Sequence, residues 1–216
     1  MQEKIIRAVQ AHKLIAILRG VPQDRVLPVA EALYRGGIRL LEITFSADAR
    51  VSDEETARQI GMLARHFEGR MFIGAGTVLT AEQVRLTAEA GGKFIISPDT
   101  NEAVIAETKK LGLVSMPGAL TPSEITAAHR AGADFVKLFP VTSLGTAYIK
   151  AITAPLSHIR LLAVGGINES NMEQYLKAGV CGFGVSSNII DKKMVETENY
   201  DGITELAKSY VAVLEK

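Results

Sequence analysis

The sequence has 216 residues, with 24 Lys and Arg against 24 Asp and Glu, so its formal net charge is zero; 47% of residues are hydrophobic and 22% charged. That balance is ordinary for a soluble globular protein and offers no basic surface, which argues against nucleic acid or an anionic membrane as a partner. A single cysteine, Cys181, excludes an internal disulfide and fits a reducing cytoplasm, the opening residues lack the apolar core of a signal peptide, and no apolar run is long enough to span a bilayer.

Along the chain, a helix at 3–12 is expected before a first apolar run at 14–18. Val26, Val29, Ala30 and Leu33 then recur at helix spacing on one face. Gly36-Gly37 closes that helix and a second apolar run follows at 40–45, with a third at 72–76. Thr80 with Gln83 reads as a capping box opening the next helix, which ends at Gly91-Gly92 before a fourth run at 94–97. Gly112 precedes the fifth run at 113–116, and Thr121 with Glu124, with Pro122 at the first helical position, caps the helix after it. Gly132 precedes the sixth run, Phe135-Val136-Lys137-Leu138-Phe139-Pro140. The seventh run, 160–164, leads into Gly165-Gly166 and a helix beginning at about Asn168, and Gly179 precedes the eighth run at 181–185. Glycine suits these helix ends because a left-handed terminus costs other residues more.

Strands spaced by roughly twenty to thirty residues leave room for a crossover helix each time, which means a parallel sheet. Eight such units favour a closed (β/α)8 TIM barrel with an extra N-terminal helix; an open doubly wound sheet is the alternative. No linker or low-complexity segment divides the chain, so residues 1–216 read as one domain.

In such a barrel the active site lies at the C-terminal strand ends, and strand side chains alternate between interior and helix layer. One parity collects the polar groups: Ile15, Ile17 and Arg19 in the first strand; Leu40, Glu42 and Thr44 in the second; Ile73, Ala75 and Thr77 in the third; Phe135, Lys137 and Phe139 in the sixth. If that parity faces inward, Arg19, Glu42, Thr77 and Lys137 converge. A lysine inside an apolar strand must find a partner or lose its proton, and a neutral lysine is the residue that attacks carbonyl carbon to give a Schiff base. The plainer reading is a core ion pair between Lys137 and Glu42. A carboxylate beside an amine is equally what proton transfer needs, and Arg19 is either a loop arginine or a fork for a carboxylate or phosphate.

Gly165-Gly166 and Ser186-Ser187-Asn188 sit where this architecture usually cradles phosphate, with tight turns as the alternative reading. The four histidines, His12, His66, His129 and His158, fall away from strand ends with no metal-ligand spacing, so no metal is expected, and Schiff-base chemistry at Lys137 would need no organic cofactor.

Taken together, Ile15-Ala16-Ile17-Leu18-Arg19-Gly20, Leu41-Glu42-Ile43-Thr44, Gly74-Ala75-Gly76-Thr77-Val78-Leu79, Ile96-Ser97-Pro98, Pro117-Gly118, the lysine run and Gly165-Gly166-Ile167 resemble the 2-keto-3-deoxy-6-phosphogluconate (KDPG)/4-hydroxy-2-oxoglutarate (KHG) aldolase family, the metal-independent class I type. The resemblance covers almost the whole chain. It implies Lys137 as Schiff-base lysine and Glu42 as general acid/base. It implies Thr77 as holder of the keto-acid carboxylate, Pro98 and Phe139 as pyruvate-pocket lining, and Gly165, Gly166 and Ser187 as phosphate binders. It also implies a homotrimer acting on a small keto acid. Two departures stand out. Ser46 occupies a position where some members carry a carboxylate-binding arginine, while others place that arginine at the end of strand one, as Arg19 is here. Val164 replaces a threonine found before the glycine pair in some members. The expected reaction is cleavage of KDPG to pyruvate and glyceraldehyde 3-phosphate, or of KHG to pyruvate and glyoxylate. The alternatives are 2-keto-3-deoxy-6-phosphogalactonate as substrate, a phosphosugar isomerase or epimerase using Glu42 as base, or a non-enzymatic phospho-ligand sensor.

Overall fold

A computed structural model describes residues 1–142 and 144–215. Nine parallel strands lie in the order β5-β4-β3-β2-β1-β9-β8-β7-β6. They are β1 (Leu14–Leu18), β2 (Leu40–Thr44), β3 (Phe72–Gly76), β4 (Phe94–Ile96), β5 (Val114–Met116), β6 (Gly118–Ala119), β7 (Val136–Leu138), β8 (Leu161–Val164) and β9 (Gly182–Val185). β5 is the fifth expected strand, and β6, just past Pro117, is an additional short strand that the sequence reading did not include, so the lysine strand is β7 here. The ring closes between β5 and β7. Ser115 O accepts from Phe135 N at 3.2 Å and Pro117 O from Lys137 N at 2.8 Å. The architecture is the (β/α)8 barrel, not the open sheet.

Two buried layers follow from strand alternation. Ile15, Leu40, Phe94, Ile96, Val114, Met116, Phe135 and Leu162 fill the barrel interior. Leu14, Ala16, Leu18, Leu41, Ile43, Ile73, Ala75, Val136 and Leu138 pack outward against the helices. The first, second and lysine strands therefore face as their sequence parity implies. The third does not: Ile73 and Ala75 are outward, so Gly74 and Gly76 are the inward residues of β3.

Helix α1 (Gln2–His12) closes the N-terminal end of the barrel. Its Ile5 and Val9, 1% and 0% exposed, join the interior cluster. Burying each contributes about 1.5–3 kcal/mol. Gln2 Nε2 also donates to Leu113 O at 2.8 Å, pinning the helix to β5.

The outer helices show why their sequences start them where they do. In α2 (Val26–Arg35), Val26, Val29, Ala30 and Leu33 form the buried face. Ser52 and Asn101 cap α3 (Asp53–His66) and α5 (Glu102–Lys110) through their side chains. Thr121 and Glu124 form the full reciprocal box at α6 (Pro122–Arg130). At α4 (Ala81–Glu89) only half of the expected box exists. Thr80 accepts from Gln83 N, but the Gln83 side chain takes Leu79 N and donates to Asp53 instead. α7 (Gly145–Thr153) follows the lysine strand. The helix expected near Asn168 begins later, as α8 (Met172–Ala178) with Asn171 as its N-cap, because Asn168 Oδ1 is used by Ser170 in a preceding turn. A short α9 (Lys192–Glu196) and α10 (Tyr200–Leu214) complete the layer. No helix is long and apolar enough to cross a membrane among the described residues.

Candidate active site

Lys137 and Glu42 are both buried, 5% and 1% exposed, on the inward parity of β7 and β2. No ion pair joins them among the described residues, and Glu42 Oε2 is buried without a hydrogen-bond partner. The core ion pair allowed by the sequence is therefore not what holds them. Burial is the main force on each. It lowers the Lys137 pKa, helped by the Arg19 charge and opposed by Glu42. It raises the Glu42 pKa, opposed by the charges of Lys137 and Arg19. An amine driven toward neutrality beside a carboxyl driven toward its protonated form is a nucleophile beside a proton carrier.

The space for that carboxyl is created by Gly76. A Cβ on this residue would lie 1.5 Å from Glu42 Oε1 and 2.2 Å from its Cδ. β2 and β3 are in register here, with Thr44 opposite Gly76, so Glu42 leans across the bare backbone of its neighbour strand.

Thr77, which follows Gly76, has φ of 56°, left-handed for a β-branched residue. By alternation Thr77 belongs to the outward parity. The left-handed backbone breaks that alternation, and Thr77 Oγ1 receives a hydrogen bond from Arg19 Nη2 at 2.9 Å. Thr77 thus joins Arg19 for a reason other than the one its sequence parity suggests. Such strain costs about 1–2 kcal/mol and clusters at functional sites.

The remaining candidates are arranged around this centre. The Phe139 ring lies with its centroid 4.7 Å from Lys137 Nζ and is 36% exposed, so it forms a wall open to solvent. Pro98 lies one step round the barrel, its carbonyl against Gly118, the register partner of Lys137. Thr100 Oγ1 donates to Gly118 O at 2.8 Å and fixes that loop. Ser46 is turned into its own loop, donating to Asp48 Oδ1 at 2.6 Å. Val164 is 8% exposed and inward by alternation with Leu162, with Gly184 leaving room for it.

Gly165 and Gly166 have φ of 101° and 70°, and their N–H groups donate to no carbonyl among the described residues. Thr142, which the sequence reading missed, sits over them: a Cβ on Gly166 would come within 3.0 Å of its hydroxyl. Its only sequence signal is its place just after the lysine strand. Ser187 is exposed in the loop after β9, which lies beside the loop carrying the glycine pair because β8 and β9 are paired. No three His, Cys, Asp or Glu side chains are grouped as a metal site requires, among the described residues.

The family described as KDPG and KHG aldolase matches residues 5–206. A probable 2-dehydro-3-deoxy-6-phosphogalactonate aldolase of Rhizobium meliloti (strain 1021) is 38% identical over 177 residues, covering 82% of this chain and 81% of that protein. A 2-dehydro-3-deoxy-phosphogluconate aldolase of Haemophilus influenzae is 30% identical over 216 residues, covering 98% and 97%. Among solved structures, KDPG aldolase from Legionella pneumophila, with pyruvate captured as a covalent carbinolamine, superposes with a TM-score of 0.84 at 30% identity, covering 95% of this chain and 97% of that one.

Proposed function

The chain belongs to the KDPG and KHG aldolase family and is a class I aldolase; from that premise we propose how its residues divide the reaction. Neutral Lys137 attacks C2 of a 2-keto-4-hydroxy acid, and protonated Glu42 gives its proton to the leaving hydroxyl, so that water departs, a protonated imine remains and Glu42 is left as the carboxylate. Glu42 takes the C4 hydroxyl proton, the C3–C4 bond breaks into the imine, and an aldehyde departs. The resulting enamine is protonated at C3, and water returns to release pyruvate and the free amine. The observation that carries this reading is the pairing of a buried amine of lowered pKa with a buried carboxyl of raised pKa that it does not neutralise.

Arg19 and Thr77 hold the substrate carboxylate, already joined to each other and so pre-positioned. The Phe139 ring face steadies the cationic imine, and Pro98 bounds the pyruvate end. The N–H groups of Gly165 and Gly166 with Ser187 take the distal phosphate. The substrate read most directly is 2-keto-3-deoxy-6-phosphogluconate, giving pyruvate and glyceraldehyde 3-phosphate, with 4-hydroxy-2-oxoglutarate as a shorter alternative. The galactonate epimer is a second reading. It is favoured by the resemblance to the Rhizobium relative, and Val164, where some members carry threonine, leaves the C4 preference open. Both epimers release the same products, so each is assayed as the pure epimer and the two are ranked by kcat/KM.

Borohydride reduction in the presence of pyruvate tests the central step. The added mass is expected on the Lys137 peptide, and turnover with that peptide unmodified would refute the assignment. We further propose a homotrimer and a cytoplasmic location. Light scattering in solution checks the first.

A further inference from the structure

The two loops that form the proposed phosphate cradle are tied together by hydrogen bonds that the chemistry itself does not use. Asn188, next to Ser187, donates its amide Nδ2 to Ile167 O at 2.8 Å, joining the loop after β9 to the loop after β8. Tyr210 of α10, 0% exposed, donates its hydroxyl to Asn188 O at 3.2 Å. Glu169, two residues beyond Ile167, accepts from Ser209 Oγ at 3.1 Å and lies beside the Tyr210 hydroxyl. Burial, reinforced by that carboxylate, pushes the phenol pKa upward, so the hydroxyl keeps its proton and remains a donor.

The backbone that leaves the glycine pair is held as well, by Asn171 and Asn188 together. Asn171 Nδ2 holds Gly166 O at 2.8 Å. In a planar trans peptide the carbonyl and the following N–H point opposite ways. Holding Gly166 O therefore fixes the direction of the Ile167 N–H. The next peptide is pinned at both ends, Ile167 O by Asn188 and Asn168 N by Asn171 Oδ1 at 3.0 Å. A glycine pair with φ of 101° and 70° is otherwise free to turn either way.

We propose that Tyr210 and Asn188 are positioning residues for phosphate recognition. By bracing the β8 and β9 loops against α10, they set how strongly the enzyme prefers a phosphorylated keto acid over the same acid without its phosphate. The proposal rests on the reading of Gly165, Gly166 and Ser187 as the phosphate cradle. It adds that part of the preference is encoded in the last helix, away from the substrate.

The test compares the full-length wild type with Y210F, N188A and S187A on a 2-keto-3-deoxy-6-phospho acid and on that acid lacking its phosphate. Y210F and N188A are expected to raise KM for the phosphorylated substrate about three- to tenfold, the worth of one lost hydrogen bond. Their kcat on it, and their kcat/KM on the phosphate-free acid, stay at the wild-type value. A merely structural role would lower activity on both substrates alike, and that result overturns the proposal. S187A raising KM for the phosphorylated acid while Y210F and N188A leave it unchanged overturns the brace alone. S187A leaving it unchanged overturns the cradle reading and the brace with it. N188A, whose side chain is at the surface, gives the readout if Y210F folds poorly.

Discussion

Replacing Gly76 with alanine puts a methyl group where the Glu42 carboxyl now lies. The ideal Cβ position is 1.5 Å from Oε1, 2.2 Å from Cδ and 2.5 Å from Cγ. Non-bonded atoms settle near ~3.5 Å, so Oε1 must retreat by about 2 Å. Glu42 is 1% exposed and cannot swing into solvent without opening β2 from β3. Misplacing a reacting group by about 1 Å costs on the order of 10²-fold, and losing a positioned acid/base costs on the order of 10²–10⁴. Gly76→Ala should therefore lower kcat by about 10²–10³-fold, with a stability loss of about 1–3 kcal/mol from overpacking. The assay is pyruvate release coupled to lactate dehydrogenase, run well below the melting temperature on protein whose circular dichroism matches wild type. Borohydride trapping of pyruvate should still find Lys137, since the amine is untouched. A folded Gly76→Ala enzyme with wild-type kcat would refute the claim that this glycine holds the space for the acid.

Further predictions concern the charges and the strained backbone. Imine formation needs the neutral amine, so its rate rises with pH through the Lys137 pKa. Glu42 raises that pKa and Arg19 lowers it; E42Q should move the acid limb of pyruvate-plus-borohydride inactivation to lower pH and R19M should move it to higher pH. Shifts in the same direction would contradict this electrostatic account. At Thr77, Thr77→Gly should be more stable than Thr77→Ala by about 1 kcal/mol, because glycine tolerates the left-handed backbone. Denaturant unfolding checks this, and the reverse order would mean the strain is absent. Both variants should raise KM for pyruvate in the condensation direction, having lost the hydroxyl that Arg19 holds.

The strand frame was legible because glycine punctuation and apolar runs are local signals. The eight expected runs became strands within a residue or two, and the one strand not expected is the two-residue β6 after Pro117. Lys137 and Glu42 were legible because polar residues within apolar strands stand out, and alternation then places them inward. Thr77 shows the limit of that logic. Its strand parity points outward, and only a left-handed φ, which a threonine does not announce, returns it to the site. The helix after the glycine pair starts at Met172, not near Asn168, because the side-chain oxygens of both Asn168 and Asn171 are spent within the turn that precedes it, and Asn171 stands at the N-cap without a side-chain cap bond. Thr142 and Tyr210 carry no motif, and Asn188 stands out only as part of the Ser186-Ser187-Asn188 strand end. Their contribution depends on which loops become neighbours once the barrel closes.

The plug formed by Ile5 and Val9 turns the barrel into a blind well. On the proposed assignment, a substrate tethered to Lys137 through C2 would have only its aldehyde half free to leave, and only through the open end. The fragments must then exit in sequence, the aldehyde first and pyruvate last. In the condensation direction pyruvate must load first, and a bulky aldehyde bound alone would bar its way.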